Sequence, residues 1–218
     1  MTHWTQTLRA QYERLVLPRA LDWACGLRRF EVQRQRVVPL ARGEVLEIGI
    51  GTGLNLPHYN RQQVSRITGV DPASELHERA RQRALAAGLE VQLVPLMAET
   101  LPFADASFDT VLVTYALCTI ADPMAALREM RRVLKPQGRL LYAEHGLAPE
   151  PAVQRRQRLW SPYWQCCAGG CQLDRDIPQL IRCAGFELLD AQASYIPGPR
   201  PFTYNYWGQA RALCQPVP

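Results

Sequence analysis

No stretch of this chain offers the roughly 18 consecutive apolar residues that a transmembrane helix needs, and its mean hydropathy is −0.20. The first residues carry Arg9, Glu13 and Arg14 among apolar neighbours, so no signal-peptide core is expected there and a cytoplasmic protein is. Internal repeats and low-complexity tracts are absent. None of the seven cysteines forms a Cys-x-x-Cys pair, which argues against a zinc site, and no bound metal is expected. Cys166, Cys167 and Cys171 lie close together with Cys183 beyond them; in a cytoplasmic chain they would be reduced, small apolar fillers. Lysine is scarce as well, so the net charge of +5 comes almost wholly from arginine. Pairs such as Arg28-Arg29, Arg131-Arg132 and Arg155-Arg156 are scattered without a DNA- or RNA-binding motif, which reads as solvated surface with no nucleic-acid partner. What remains is 218 residues, 47% hydrophobic, enough for one globular domain with a sizeable core.

The most informative run is Val45-Leu46-Glu47-Ile48-Gly49-Ile50-Gly51-Thr52-Gly53. Apolar residues lead into an acid and then glycine at every second position. This is the pattern of a buried strand ending in a tight turn, where a missing Cβ lets backbone approach a ligand. A dinucleotide fingerprint starting at Gly49 would place its third glycine where Leu54 stands, and no Gly-Lys-Ser/Thr follows to make a P-loop. A second apolar run, Ile67-Thr68-Gly69-Val70, closes on Asp71, about 20 residues beyond the turn, where a carboxylate can accept both ribose hydroxyls. A nicotinamide enzyme would use the same acid. Pro72 suits a helix start, and Ser74 to Ala87 reads as a helix closed by Gly88.

The rhythm continues. Strands are expected at Val91 to Val94, Asp109 to Tyr115 and Arg139 to Glu144, with a helix opened by Asp122-Pro123 and stopped at Lys135-Pro136-Gln137-Gly138. Such alternation implies a mainly parallel sheet covered on both faces. Phe186 to Ala193 and Tyr204 to Leu213 are the last two strands, separated by the rigid loop Pro197-Gly198-Pro199-Arg200-Pro201.

The acid followed by alternating glycines, Asp71, the Ala98-Glu99-Thr100-Leu101-Pro102-Phe103 stretch and Arg132-Val133-Leu134-Lys135-Pro136-Gln137-Gly138 together resemble the motifs of class I S-adenosylmethionine-dependent methyltransferases (methyltransferase type 11). The resemblance spans roughly residues 41–212. It implies an α/β Rossmann-like, seven-stranded, mostly parallel sheet with helices on both faces, the last strands forming an antiparallel pair at one edge. It also implies S-adenosyl-L-methionine as methyl donor, with S-adenosyl-L-homocysteine as product. The residues carried over as cofactor contacts are Glu47, Gly49, Gly51, Thr52, Gly53, Asn55, Asp71, Pro72, Ala98, Glu99 and Thr114.

Within that family the chain is similar to the thiol S-methyltransferases, the animal alkyl-thiol enzymes and their bacterial relatives. Leu117-Cys118-Thr119-Ile120, Glu144-His145, the pair Trp160 and Trp164, and Gly170-Cys171-Gln172-Leu173 carry this likeness. It departs in lacking the hydrophobic anchor with which animal members begin. The expected acceptor is a small apolar thiol, in a pocket of Tyr115, Cys118, Trp160, Trp164 and Cys171. His145 is the expected general base, since an imidazole titrates where a thiol must be deprotonated, and Glu144 would orient its ring. His58 is expected in a lid over the methionine moiety. Alternatives are a quinone-like carbon or phospholipid amine as acceptor, or a non-catalytic S-adenosylmethionine-binding regulator.

Residues 1–40 read as an N-terminal helical lid ahead of a methyltransferase domain at 41–218. Trp4, Tyr12, Leu15, Leu17, Leu21 and Trp23 would cover the site, or lie on a membrane surface, and Pro18 interrupts the helical pattern.

Overall fold

The computed structural model describes residues 17–213. The expectations for Trp4, Tyr12 and Leu15 lie outside them. Among the described residues, seven strands form one sheet: β1 Gly43–Ile48, β2 Val64–Val70, β3 Val91–Val94, β4 Phe108–Thr114, β5 Leu134–His145, β6 Phe186–Tyr195 and β7 Tyr204–Ala212. Their spatial order is β3-β2-β1-β4-β5-β7-β6. The pairs among β1 to β5 are parallel, and β7 runs antiparallel between β5 and β6. The order therefore reverses between β1 and β4. Open α/β sheets receive ligands in the crevice at such a switch point, beyond the carboxyl ends of the strands.

Among the described residues, six α-helices accompany the sheet: α1 Leu17–Cys25, α2 Arg28–Val37, α3 His77–Ala87, α4 Pro123–Val133, α5 Pro151–Cys167 and α6 Ile177–Cys183. Strand side chains alternate between faces, and the two largest apolar clusters obey that rule. Leu46, Val111, Val113, Leu140 and Tyr142 pack with Leu127 and Met130 of α4 and Ile181 of α6. Their strand neighbours Val45, Leu112, Leu141 and Ala143 pack on the other face with Val37 of α2 and Ala84 of α3. Both faces are covered, so the strands are apolar on both sides.

Local signals account for most boundaries. Asp122 caps α4 by accepting the Ala125 N–H at 2.9 Å. Gly88 ends α3 with a left-handed φ of 62°. Two segments differ from the sequence reading. Lys135-Pro136-Gln137-Gly138 already belongs to β5, because Leu134 pairs with Phe108 and a register shift absorbs the following residues. The segment around Trp160-Ser161-Pro162, where the sequence reading places no element, is helical, since α5 continues through Pro162. Tertiary bonds hold it there: Gln157 bridges Ala148 N–H and Gly146 C=O, each at 2.9 Å, and Ser161 Oγ donates to Asp174 at 2.8 Å. Among the described residues α1 begins at Leu17, with Pro18 in its first turn.

Candidate active site

Two cavities lie at the switch point. The first, of about 270 Å³, is walled by the glycine turn after β1, the end of β4 and the segment after β2. The second, of about 300 Å³, is bounded by the loop after β4, the end of β5, the end of α5 and the loop between β6 and β7. Tyr115 and Cys25 line both.

The three glycines of the turn have positive φ, from 51° to 81°, but they serve different ends. A Cβ on Gly49 would meet Ala116 at 2.5 Å, and one on Gly53 would meet Leu56 at 2.6 Å, so these two are needed for packing. A Cβ on Gly51 would find nothing nearer than 3.8 Å. It would fill cavity instead, and Gly51 is where a ligand can approach the backbone.

Two carboxylates hold this turn. Glu47, almost wholly buried, accepts the Asn55 side-chain N–H at 2.9 Å and the Tyr59 hydroxyl at 2.7 Å. Burial pushes it up to about 7 against those two bonds. It lies beneath the loop and fixes Asn55, which also donates to Thr114 at 2.9 Å; both Asn55 and Thr114 line the first cavity. Asp71 accepts the Gly51 N–H on one oxygen and the Ala73 N–H on the other, each at 2.9 Å. Its pKa is raised because burial outweighs those two bonds. Each carboxylate oxygen retains a lone pair for a further donor.

The N-terminal helices complete the first cavity. Asp22 of α1 accepts from Thr52 of the turn and from Arg79 and Arg83 of α3, the latter two at 2.9 Å. Burial would raise its pKa, but Arg83, Thr52 and Arg79 together hold it below the ordinary value. Arg34 of α2 is buried, donates to the Cys25 carbonyl at 2.7 Å and stands 5.1 Å above the Tyr115 ring. Its buried Nε has no protein partner, and the residue lines the first cavity.

The second cavity is mostly apolar. Phe30 meets Tyr115 edge-on at 5.1 Å, and Trp164 packs on Phe202 at 4.8 Å. Tyr115 holds a left-handed φ of 54°, unusual for a bulky residue, and its hydroxyl donates to Asn205 at 2.8 Å. The polar feature is a sulfur and imidazole group. His145 Nε2 lies 2.7 Å from Cys171 Sγ, which also receives the Trp164 indole N–H at 3.3 Å. Cys171 is held well below the usual thiol range, first by the hydrogen bond from Cys118 and then by His145. Burial alone would lower His145, but the Cys171 sulfur outweighs it and raises the ring.

Of the residues singled out in the sequence, Gly49, Gly51, Thr52, Asn55 and Thr114 line the first cavity, and Tyr115, Cys118, Trp164, Cys171 and His145 line the second. Others fall elsewhere. Pro72 precedes the cavity-lining Ala73. Ala98 is packed in the core, and Glu99 accepts the Asp122 N–H at the start of α4. Trp160 is 50% exposed and meets Tyr163 edge-on at 6.2 Å; it sits one helical turn before Trp164 and does not line the second cavity. Glu144 does not orient His145. Adjacent strand residues face opposite sides, and Glu144 instead accepts the Ala116 and Leu117 N–H groups at 2.8 and 3.0 Å. His58 pairs with Glu31 at 4.0 Å, away from both cavities. Asp22, Arg34 and Leu76 were missed; they enter the first cavity from elements that carry no motif.

Comparison with known proteins agrees with this geometry. Residues 46–142 match the family described as "Methyltransferase domain". Thiol S-methyltransferase TMT1A of Homo sapiens is 30% identical over 188 residues, covering 77% of this chain and 71% of the human protein. The chain belongs to the S-adenosylmethionine-dependent methyltransferases. Thiol S-methyltransferase TMT1B of Rattus norvegicus is 32% identical over 160 residues, covering 71% of this chain but only 64% of the rat protein's length. The ubiquinone/menaquinone biosynthesis C-methyltransferase UbiE of Geotalea daltonii is 35% identical over 124 residues, covering 54% of this chain and 51% of UbiE. Among solved structures, the 1,6-didemethyltoxoflavin-N1-methyltransferase of Burkholderia thailandensis, determined with S-adenosylhomocysteine, shares the fold with a TM-score of 0.66 at 18% identity, over 97% of this chain and 89% of that one. Among the described residues of this methyltransferase, no helix is long and apolar enough to cross a membrane.

Proposed function

We propose that this methyltransferase transfers the methyl group of S-adenosylmethionine to the sulfur of a small apolar thiol. The observation that carries the reading is the second cavity: aromatic walls, a volume suited to a small molecule, and an imidazole beside two thiols as its main polar feature. The likeness to the thiol S-methyltransferases supports it.

S-Adenosylmethionine supplies a methyl group already activated on a sulfonium, so the protein's part is to align, exclude water and take up a proton. Asp71 offers its free lone pairs to the ribose, and the Arg34 guanidinium, which lines the first cavity, offers its positive charge to the carboxylate. Helices α1 and α2, pinned by Asp22, act as the lid over both cavities. The acceptor R–SH gives its proton to the His145–Cys171 pair, and its sulfur forms the new S–CH3 bond as the sulfonium S–C bond breaks. The thioether and S-adenosylhomocysteine are the products, and the proton passes on to solvent. Glu47 and Glu144 take no proton in this scheme; they brace the glycine turn and the loop after β4.

The test is incubation with methyl-labelled S-adenosylmethionine and matched thiol, amine and quinol acceptors, with products followed by mass spectrometry. A labelled thioether is expected. Label on the quinol carbon or the amine, with none on the thiol, refutes the thiol reading while leaving the methyltransferase intact.

A further inference from the structure

Three side chains from three separate segments meet inside the second cavity. Cys118 follows β4, His145 ends β5, and Cys171 follows α5. Their two sulfurs and an imidazole nitrogen all lie within 4.8 Å of one another. The backbone holds them there: Gln172 N–H donates to the Cys118 carbonyl at 2.9 Å, tying the two cysteine loops together. Arg175 braces the same loop through the Leu117 carbonyl. We propose that this cluster is a binding site for a thiophilic divalent cation of the Zn²⁺ type, and that its occupancy shuts off methyl transfer. The sequence spacing hid it, because the ligands are not neighbours in the chain.

The donor set matches the ion. Two thiolates neutralise a divalent charge, so the loaded cluster adds no net charge to a buried, apolar setting. Loading forms two metal–sulfur bonds and one metal–nitrogen bond. Two protons leave to solvent, one from Cys118 and one held jointly by Cys171 and His145, and no electron moves. Zinc–nitrogen and zinc–sulfur bonds of about 2.0 and 2.3 Å in a tetrahedral arrangement require the ligand atoms to stand about 3.5 Å apart. The 2.7 Å His145–Cys171 contact therefore opens by less than about 1 Å, within reach of side-chain rotation. Three protein ligands leave the fourth position to water or a small molecule in the cavity. A loaded site occupies both members of the pair that accepts the substrate proton. This second half of the inference rests on the thiol reading above, whereas the site itself does not.

The probe is Co²⁺, added to the reduced, full-length protein. One equivalent per chain should give thiolate-to-cobalt absorption, and Zn²⁺ should displace it. In the unsubstituted protein, Zn²⁺ should shield Cys118 and Cys171, but not the exposed Cys166 and Cys183, from a thiol-alkylating reagent, read by peptide mass spectrometry. Cys118→Ser and Cys171→Ser should each weaken metal binding by more than roughly 100-fold, whereas Cys166→Ser should not change it. Equal alkylation of Cys118 and Cys171 with and without Zn²⁺, or cobalt absorption that survives Cys118→Ser, overturns the site. Thiol methylation undiminished at full Zn²⁺ occupancy overturns the shut-off. A metal site that behaves as described in a protein that methylates no thiol refutes the acceptor reading alone.

Discussion

Replacing Glu47 by glutamine should flatten the dependence of folding stability on pH. The carboxyl is buried beneath the glycine turn and stands at about 7 in the folded chain, against 4.5 for an unhindered one. A group raised on folding favours the folded state fully only below its unfolded value. Its contribution is lost as pH rises from 4.5 towards 7 and stays lost above. At about 1.4 kcal/mol per pH unit, that gap amounts to about 3 kcal/mol. The introduced amide would remain neutral throughout and keep a carbonyl to accept from Asn55 or Tyr59. Urea unfolding of both proteins between about pH 5 and pH 8 should show the variant gaining about 2–3 kcal/mol on the parent across the window, with unchanged denaturant slopes. Asp71 is raised in the same direction but is common to both proteins and cancels. Parallel stability curves would refute the argument, because they would mean that Glu47 stays ionised at little cost in its buried place.

Other substitutions separate the roles assigned above. Asp71→Asn removes the charge from the proposed ribose contact, and S-adenosylmethionine should bind roughly 30- to 150-fold more weakly by calorimetry, about 2–3 kcal/mol; unchanged affinity would refute that contact. His145→Gln should leave that affinity intact and make the methylation rate rise about tenfold per pH unit below the acceptor's pKa, because only free thiolate then reacts; a profile identical to the parent's would remove His145 from proton transfer. Trp164→Ala should raise the KM for an apolar thiol by roughly tenfold or more, whereas Trp160→Ala should change it less than about twofold. Asp22→Ala frees α1 from Thr52, Arg79 and Arg83, and its amides should exchange hydrogen faster by mass spectrometry while those of β4 do not.

The sheet was legible because its strands are short apolar runs punctuated by Gly, Pro and Asp, and each such signal acts over a few residues. Gly88 and Asp122 did in the structure what their types imply. Helix α5 was not legible, since Pro162 argues against a helix locally, while Gln157 and Ser161 bond to the flanking loops and help hold it. Glu47 and Asp71 were recognised by spacing, but their division of labour, one beneath the turn and one at its edge, depends on side-chain direction. Trp160 and Trp164 share a helical face one turn apart, and only Trp164 reaches the loop that carries Phe202. Asp22 and Arg34 could not have been found from motifs; a lone acid on α1 and one arginine among four on α2 carry no spacing signal. Cys118, His145 and Cys171 were each singled out, yet their convergence required the topology.

Tyr115 is held from every side: by its N–H to the Ala143 carbonyl, by its hydroxyl to Asn205, by the Phe30 ring and by the Arg34 guanidinium. It is a fixed septum between two chambers rather than a gate. Whole ligands therefore do not pass from one chamber to the other; only the transferred group crosses. Helix α1 borders both chambers through Cys25. A single opening of that helix would then release the spent donor and the methylated product together, so the two should leave in one kinetic step.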